Sequence, residues 1–297
     1  MGLDHPQKTQ PAGRRVKRIA AGMILIFGAL YTAACGYLWA MQPRLIFKPR
    51  QEISEAPADY GLAYEDVFVT VDSGSAGGER MHAWWIPHDG GHGLTLLYLH
   101  GAALNIGANC DHARRLHDLG FNVLLISYRG FGRSEGQFPS EQSVYQDAAA
   151  AWDYLTRERG IDPRAVIIYG QSLGGAVAID LAVRHPDAAG LIVEASFTSM
   201  RALAETRAKY RIFPIDLILH QDFDSIAKVE RLQVPVLYLH GTADGVVPPD
   251  MSRELSERTA SPYALVFIDG GGHNNSARIG GKIYIDAVRE FIESRRS

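Results

Sequence analysis

The sequence predicts an α/β protein: a mostly parallel sheet of eight strands, helices on both faces, a short cap, and one long apolar helix ahead of the domain. Three observations carry this. Short runs rich in Val, Ile, Leu and Tyr recur along the chain and alternate with Ala/Leu-rich stretches of helical length, the pattern of strands buried on both faces between crossover helices. The chain is 46% apolar and 21% charged, with 30 glycines among 297 residues. That describes one folded domain with a sizeable core and argues against a disordered or repetitive chain. Finally, residues 19–41 carry no charge at all.

Taken from the N-terminus, residues 1–18 hold five basic side chains and one acidic, whereas the whole chain has a net charge of −3, so the body is mildly acidic. No basic face argues for nucleic acid. Ile19–Met41 read as a helix would span about 34 Å, against a hydrocarbon core of about 30 Å. Tyr37 and Trp39 suit the far interface. Arg14, Arg15, Lys17 and Arg18 place the N-terminus in the cytoplasm and the folded domain outside, while Arg44, Lys48 and Arg50 pull the other way. The expected organisation is a basic tail (1–18), a transmembrane anchor (19–41) and a folded domain (42–297). A lipoprotein signal ending at Thr32-Ala33-Ala34-Cys35 and a cleaved signal peptide are the alternatives. Against both, the apolar run continues past Cys35. The two cysteines, Cys35 and Cys110, give no expectation of a structural disulfide.

Leu62–Val71 and Arg80–Ile86 read as an antiparallel pair opening the sheet. Further strands are expected near 94–100, 122–128, 165–169, 190–194, 235–240 and 263–268, with helices near 105–119, 141–159, 173–184, 249–259 and 281–294. The segment 197–232 breaks this alternation. It contains Pro214 and two helical pieces, Met200–Tyr210 and Ile215–Leu219, and is expected to form the cap. Phe213, Ile215, Leu217 and Ile218 there could line an apolar pocket or simply pack.

Within this frame, Gly170-Gln171-Ser172-Leu173-Gly174 lies between an apolar run and a helical one. Strand, tight turn and helix push the serine hydroxyl out of the sheet, and the flanking glycines allow the sharp turn and close packing. A serine hydroxyl is a poor nucleophile without a base and a carboxylate to orient it. Asp244 follows the run Val234–His240, at the carboxyl end of a strand, where open α/β sheets place their sites. His273 follows the next strand in a loop with three glycines, Gly270–Gly272. Asp250 and Asp269 are rival acids: the first looks like a helix cap, the second lies too near His273 to come from another strand. The backbone amides of Ala102 and Leu173 are the expected oxyanion donors. His100 is expected to bond loop backbone, and Arg133 and Glu135 to pair locally or with each other. His82, His88, His92, His112 and His117 lack convincing metal-ligand spacing, and no phosphate-loop or other cofactor motif is present.

These segments together resemble the α/β-hydrolase superfamily, and within it the single-pass, membrane-anchored serine hydrolases described as serine-aminopeptidase-like or α/β-hydrolase-domain proteins. The matching stretches are Leu99-His100-Gly101 with Asn105, Tyr128 to Gly136, Gly170 to Gly175, Ser196 to Met200, Gly241 to Pro248, and Gly272-His273-Asn274. The resemblance implies Ser172 as nucleophile, Asp244 as orienting acid and His273 as base. Ala102 stands where the family commonly has Asn; the backbone donor survives the change, but a side-chain contact is lost. The expected activity is cleavage of an acyl ester or thioester, on a lipid or an acylated protein near a membrane, without metal or cofactor. A peptidase or an acyltransferase on the same three residues, or a non-catalytic binding module, are the alternatives.

Overall fold

Each run expected in the sheet forms a strand in the computed structural model, which describes residues 12–72, 74 and 77–295. The first eleven residues of the expected basic tail lie outside the described residues. The strands are β1 (Glu65–Val71), β2 (Glu79–Ile86), β3 (Thr95–Leu99), β4 (Asn122–Ile126), β5 (Val166–Gln171), β6 (Gly190–Glu194), β7 (Val236–Gly241) and β8 (Pro262–Ile268). They lie side by side in the order β1-β2-β4-β3-β5-β6-β7-β8. β2 runs antiparallel to β1 and β4, and every other neighbouring pair is parallel. Because β3 sits between β4 and β5, with Leu99 opposite Gly170, the loops leaving β3 and β5 emerge side by side. The carboxyl edge there is a topological switch point, where such sheets open a crevice.

The helices are α1 (Ala12–Ile46), α2 (Cys110–His117), α3 (Glu141–Asp153), α4 (Leu173–Arg184), α5 (Met200–Glu205), α6 (Ile215–Ile218), α7 (Ile226–Val229), α8 (Pro249–Arg258), α9 (Ser276–Gly280) and α10 (Lys282–Glu293). Alternation along the strands divides the core into two layers. Leu97, Ile168, Val193 and Tyr238 pack with Ala148 and Trp152 of α3, Val177 and Leu181 of α4, and Leu255 of α8. Leu96, Tyr98, Ile167 and Leu237 pack with Leu116 of α2 and Val288 and Phe291 of α10. All of these are essentially inaccessible.

Several expected boundaries shift. The first strand begins at Glu65, because Pro57–Tyr60 form a 3-10 turn that Gly61 ends at φ +75°. The helix expected at 281–294 forms as Lys282–Glu293, and Gly281, whose φ is +46°, parts it from a short helix that was not expected, Ser276–Gly280. In the cap, α5 stops at Glu205 and a separate 3-10 turn covers Ala208–Tyr210. Arg133 and Glu135 pair with β1 and β2 instead of with local groups: Arg133 bonds Asp66 at 2.9 Å and Glu135 bonds Arg80 at 2.6 Å. Asp250 does not cap α8. It lies in the first turn with a side chain 91% exposed, where its charge suits the helix dipole.

α1 runs past Met41 to Ile46, through Pro43. It is long and apolar enough to cross a membrane, and its most apolar window is wholly unburied. Its later turns lie against the cap. The Tyr31 hydroxyl donates to the Ile212 carbonyl at 2.8 Å, and the Tyr31 ring stacks on Phe213. Gln42 is buried at 7% exposure. Its amide nitrogen donates to Ile218 O, and its oxygen accepts from the amides of His220 and Gln221 at 2.8 and 2.7 Å. Beyond α1, Lys48 N–H donates to Ala102 O, and Lys48–Pro49 pair in parallel with Ala103–Leu104.

Candidate active site

Ser172 sits at the turn between β5 and α4 with φ 55° and ψ −122°. A side chain is strained there, and only surrounding packing holds it. The glycines on either side explain how the turn is held. A Cβ on Gly170 would lie 2.1 Å from Gly174 O, and one on Gly174 would lie 2.0 Å from Leu99 O. Strand and helix therefore touch backbone to backbone beneath the serine. Its own backbone is tied on both sides: Ser172 N–H donates to Glu194 O at 2.8 Å, and Ser196 Oγ donates to Ser172 O at 2.8 Å.

The structure brings the three expected side chains together. His273 Nε2 is 3.0 Å from Ser172 Oγ, and His273 Nδ1 is 2.7 Å from Asp244 Oδ2. The loops carrying Asp244 and His273 are stitched to each other by Ala243 N–H to Gly271 O and by Thr242, whose hydroxyl donates to Asp269 and accepts from Gly270 N–H. Asp269 is thus a loop fastener. A Cβ on Gly241 would meet Gly271 O at 2.2 Å, so this approach requires glycine there.

Asp244 is 8% exposed and well supplied with donors. Its Oδ1 accepts from the amides of Val246 and Val247 at 2.7 and 2.9 Å. Its Oδ2 is shared by His273 and by His240 Nε2 at 3.2 Å. Burial alone would push this carboxyl up; hydrogen bonds from His240, His273 and the Val247 amide outweigh it and hold Asp244 well below the usual carboxylate range. His240 was read from the sequence only as the end of a strand. It is wholly buried, with Nδ1 2.6 Å from Ser252 Oγ.

Ala102 follows the β3 turn, and Leu173 is the first residue of α4, where helix amides have no partner within the helix. His100 behaves as expected: its Nδ1 lies 2.7 Å from Gly101 O, fixing the loop that presents Ala102. Burial lowers its imidazole to about 4. Asn105 bolts the same loop to the segment after α1, donating to Arg50 O and Glu52 O at 3.0 and 2.6 Å.

Ser172 stands between two cavities. One, of about 310 Å³, is apolar, walled by Phe197, Met200, Leu203, Phe213, Ile215 and Ile218 of the cap region and by Leu38, Gln42, Leu45 and Ile46 of α1. Leu217, expected to share this wall, points away and is 83% exposed. The α1 contribution went unread, because an apolar helix ahead of a domain gives no sign of which turns it lends to a pocket. The other cavity, of about 430 Å³, has polar walls including Asn109, Asp111, His112, Arg115, Glu194, Asn274 and Arg278. Its acids are already engaged. Asp111 pairs with Arg114 and Arg115, and buried Glu194 accepts from the hydroxyls of Tyr169 and Tyr284 at 2.8 and 2.7 Å.

Residues 92–214 match the family model for serine aminopeptidases, S33. A Mycobacterium tuberculosis protein described as uncharacterised is 34% identical over 92% of this chain and 95% of its own. The Arabidopsis thaliana alpha/beta hydrolase domain-containing protein WAV2 is 30% identical over 90% of this chain and 92% of its own. A Pyrococcus furiosus esterase, 19% identical, superimposes with a TM-score of 0.69 over 84% of this chain and 97% of its own. With sheet order, serine turn and full-length sequence likeness in agreement, the chain belongs to the α/β-hydrolase superfamily.

Proposed function

We propose that the protein is a membrane-anchored serine hydrolase that cleaves a carboxylic ester or thioester through an acyl-enzyme on Ser172. The observation that carries this reading is the unbroken line Asp244–His273–Ser172, at 2.7 and 3.0 Å, ending where an apolar cavity meets a polar one. His273 Nε2 takes the Ser172 proton as Oγ attacks the acyl carbon, and Asp244 holds the imidazole in the tautomer that leaves Nε2 free. The Ala102 and Leu173 amides face the oxyanion, each such donor contributing about 2.7–4 kcal/mol to the transition state. His273 then protonates the leaving group and activates the water that releases the acid. The apolar cavity suits the acyl chain, and the polar one suits the leaving group.

The walls favour an acyl ester or thioester, of a lipid or an acylated protein, over a peptide. An aminopeptidase must hold a free ammonium with an unengaged acid. Among the described residues, Arg207 is the only charged one lining the apolar cavity, and the acids of the polar one are already paired or hydrogen-bonded. Membrane attachment rests on α1, and a cytoplasmic N-terminus rests on Arg14, Arg15, Lys17 and Arg18. A fluorescent fluorophosphonate applied to intact membranes tests the reading. The wild type should label and Ser172→Ala should not, with turnover of acyl esters falling about 10⁶-fold. Folded wild-type protein that neither labels nor turns over an ester would overturn it. Faster cleavage of an aminoacyl anilide than of an acyl ester would shift the reading to a peptidase.

A further inference from the structure

Resting on the reading of α1 as a membrane anchor, we infer that the cap itself enters the bilayer, with the tip between Tyr210 and Leu219 below the headgroups, so that the apolar cavity takes acyl chains directly from the lipid. The cap meets α1 well inside the apolar run. Tyr31 bonds and stacks on Ile212 and Phe213, while Trp39 and Gln42 meet His220 and Gln221. From Ile19 to Tyr31 the helix rises only about 18 Å, and a hydrocarbon core of about 30 Å is first crossed near Trp39. The Tyr31 contact is therefore about 12 Å inside that boundary. Sliding the helix outward would draw Lys17 and Arg18 into the core, and tilting it uses more residues and only deepens the cap.

The surface of the tip fits such a position. Ile212 is 69% exposed and Leu217 83%, beside α1 faces that are equally bare. The nearby Tyr31 hydroxyl satisfies the Ile212 carbonyl, which water could not reach at that depth. Behind the tip, the cap carries Arg201, Arg207 and Lys209 against Glu205, and the tip's own charges, Arg211 and Asp216, are directed back to that flank. Arg201 bridges Asp216 at 2.8 Å, and Arg211 folds back to Glu205 O. Long basic side chains on this flank suit lipid phosphates while their stems stay in apolar surroundings. The cavity lies between α1 and the cap. Its α1 wall, Leu38 to Ile46, stands at and just outside the boundary near Trp39, while Phe213, Ile215 and Ile218 of the tip extend its wall toward the lipid, the side from which a chain would enter.

The test uses the full chain with Cys35→Ser in phosphatidylcholine/phosphatidylglycerol vesicles, Cys110 being only 1% exposed. An environment-sensitive fluorophore is attached in turn at Leu25→Cys, Ile212→Cys, Leu217→Cys and Asp187→Cys, the last in the loop ahead of β6 at the opposite edge of the sheet. Lipids with nitroxides on their acyl chains should quench positions 25, 212 and 217, and aqueous iodide should quench only position 187. Iodide quenching at 212 and 217 with chain quenching at 25 would overturn the inference and leave the anchor standing. Shielding from both quenchers would mean that a second copy or another protein covers the tip, which overturns it too. Failure of chain quenching at 25 would remove the anchor reading and this inference together. In the same vesicles, Ile212→Asp with Leu217→Asp should slow hydrolysis of an embedded long-chain ester about tenfold or more while a short water-soluble ester is cleaved as before. Equal loss on both esters would overturn the delivery route.

Discussion

Asp244 holds its place because four donors converge on two oxygens: two amides on one, two imidazoles on the other. Asp244→Asn keeps the shape but leaves an amide where His273 needs an acceptor, and kcat should fall about 10⁴-fold with little change in KM. His240 contributes through Asp244 alone, so His240→Leu should lower kcat about tenfold or more, the worth of a hydrogen bond to a charged group, again with KM unchanged. A parallel rise in KM would mean that the loop had moved and that His240 only supports the fold. The juxtaposition of Ser172, Asp244 and His273 was legible in the sequence because each lies in the turn or loop after an apolar run and they appear in the order the superfamily uses. His240 was not, because its partners Ser252, Val247 and Asp244 are assembled only when the chain after β7 folds back over it.

At the scale of elements, the β5–α4 turn depends on backbone contact. Gly174→Ala would place a methyl 2.0 Å from Leu99 O, a backbone atom of a central strand that cannot yield. Overpacking of this kind costs about 1–3 kcal/mol or more, and melting should show that loss together with reduced fluorophosphonate labelling. The strands were legible because burial on both faces leaves unbroken apolar runs, and all eight appear in place. Helix ends were less so. The cap residues around Arg207 interrupt the helix expected at Met200–Tyr210 for reasons of packing that local propensity does not record, and the short helix Ser276–Gly280 before Gly281 left no pattern in the sequence. The role of α1 was legible only in part. Its apolar length showed, but not that Leu38 and Leu45 wall the cavity. Leu38→Ala with Leu45→Ala should reduce kcat/KM for a long-chain ester about tenfold, each lost methylene contact costing up to about 0.8 kcal/mol, and leave a short ester untouched. Equal losses on both would place the acyl chain elsewhere.

The whole molecule carries its acid sensitivity in buried imidazoles more than in its site carboxylate. Burial lowers His82, His100, His112 and His185 from the ordinary histidine value, His100 to about 4. An unfolded chain returns each to about 6.5 and binds protons that the folded chain refuses, so stability rises with pH across that window. The contribution is complete above about pH 6.5 and is lost as pH falls toward the folded values. Asp244 has the same sign, but its folded value is so low that most of its loss comes at more acid pH. Between pH 6.5 and 4 the imidazoles therefore outweigh Asp244, while Asp147, whose carboxyl burial raises to about 6 against the pull of Arg129, acts with the opposite sign over the same range. His100, with no exposed surface, accounts for about 3 kcal/mol, set against a total of about 5–15 kcal/mol for a folded domain. Heating the full chain in neutral detergent should give a melting temperature about 6–12 °C lower at pH 4.5 than at pH 7.5 from this residue alone. His100→Asn cannot take up the proton, so it should melt lower at pH 7.5 yet lose less on acidification. A His100→Asn protein that lost as much on acidification as the wild type would show that this ring is hydrated and titrates normally in the folded protein.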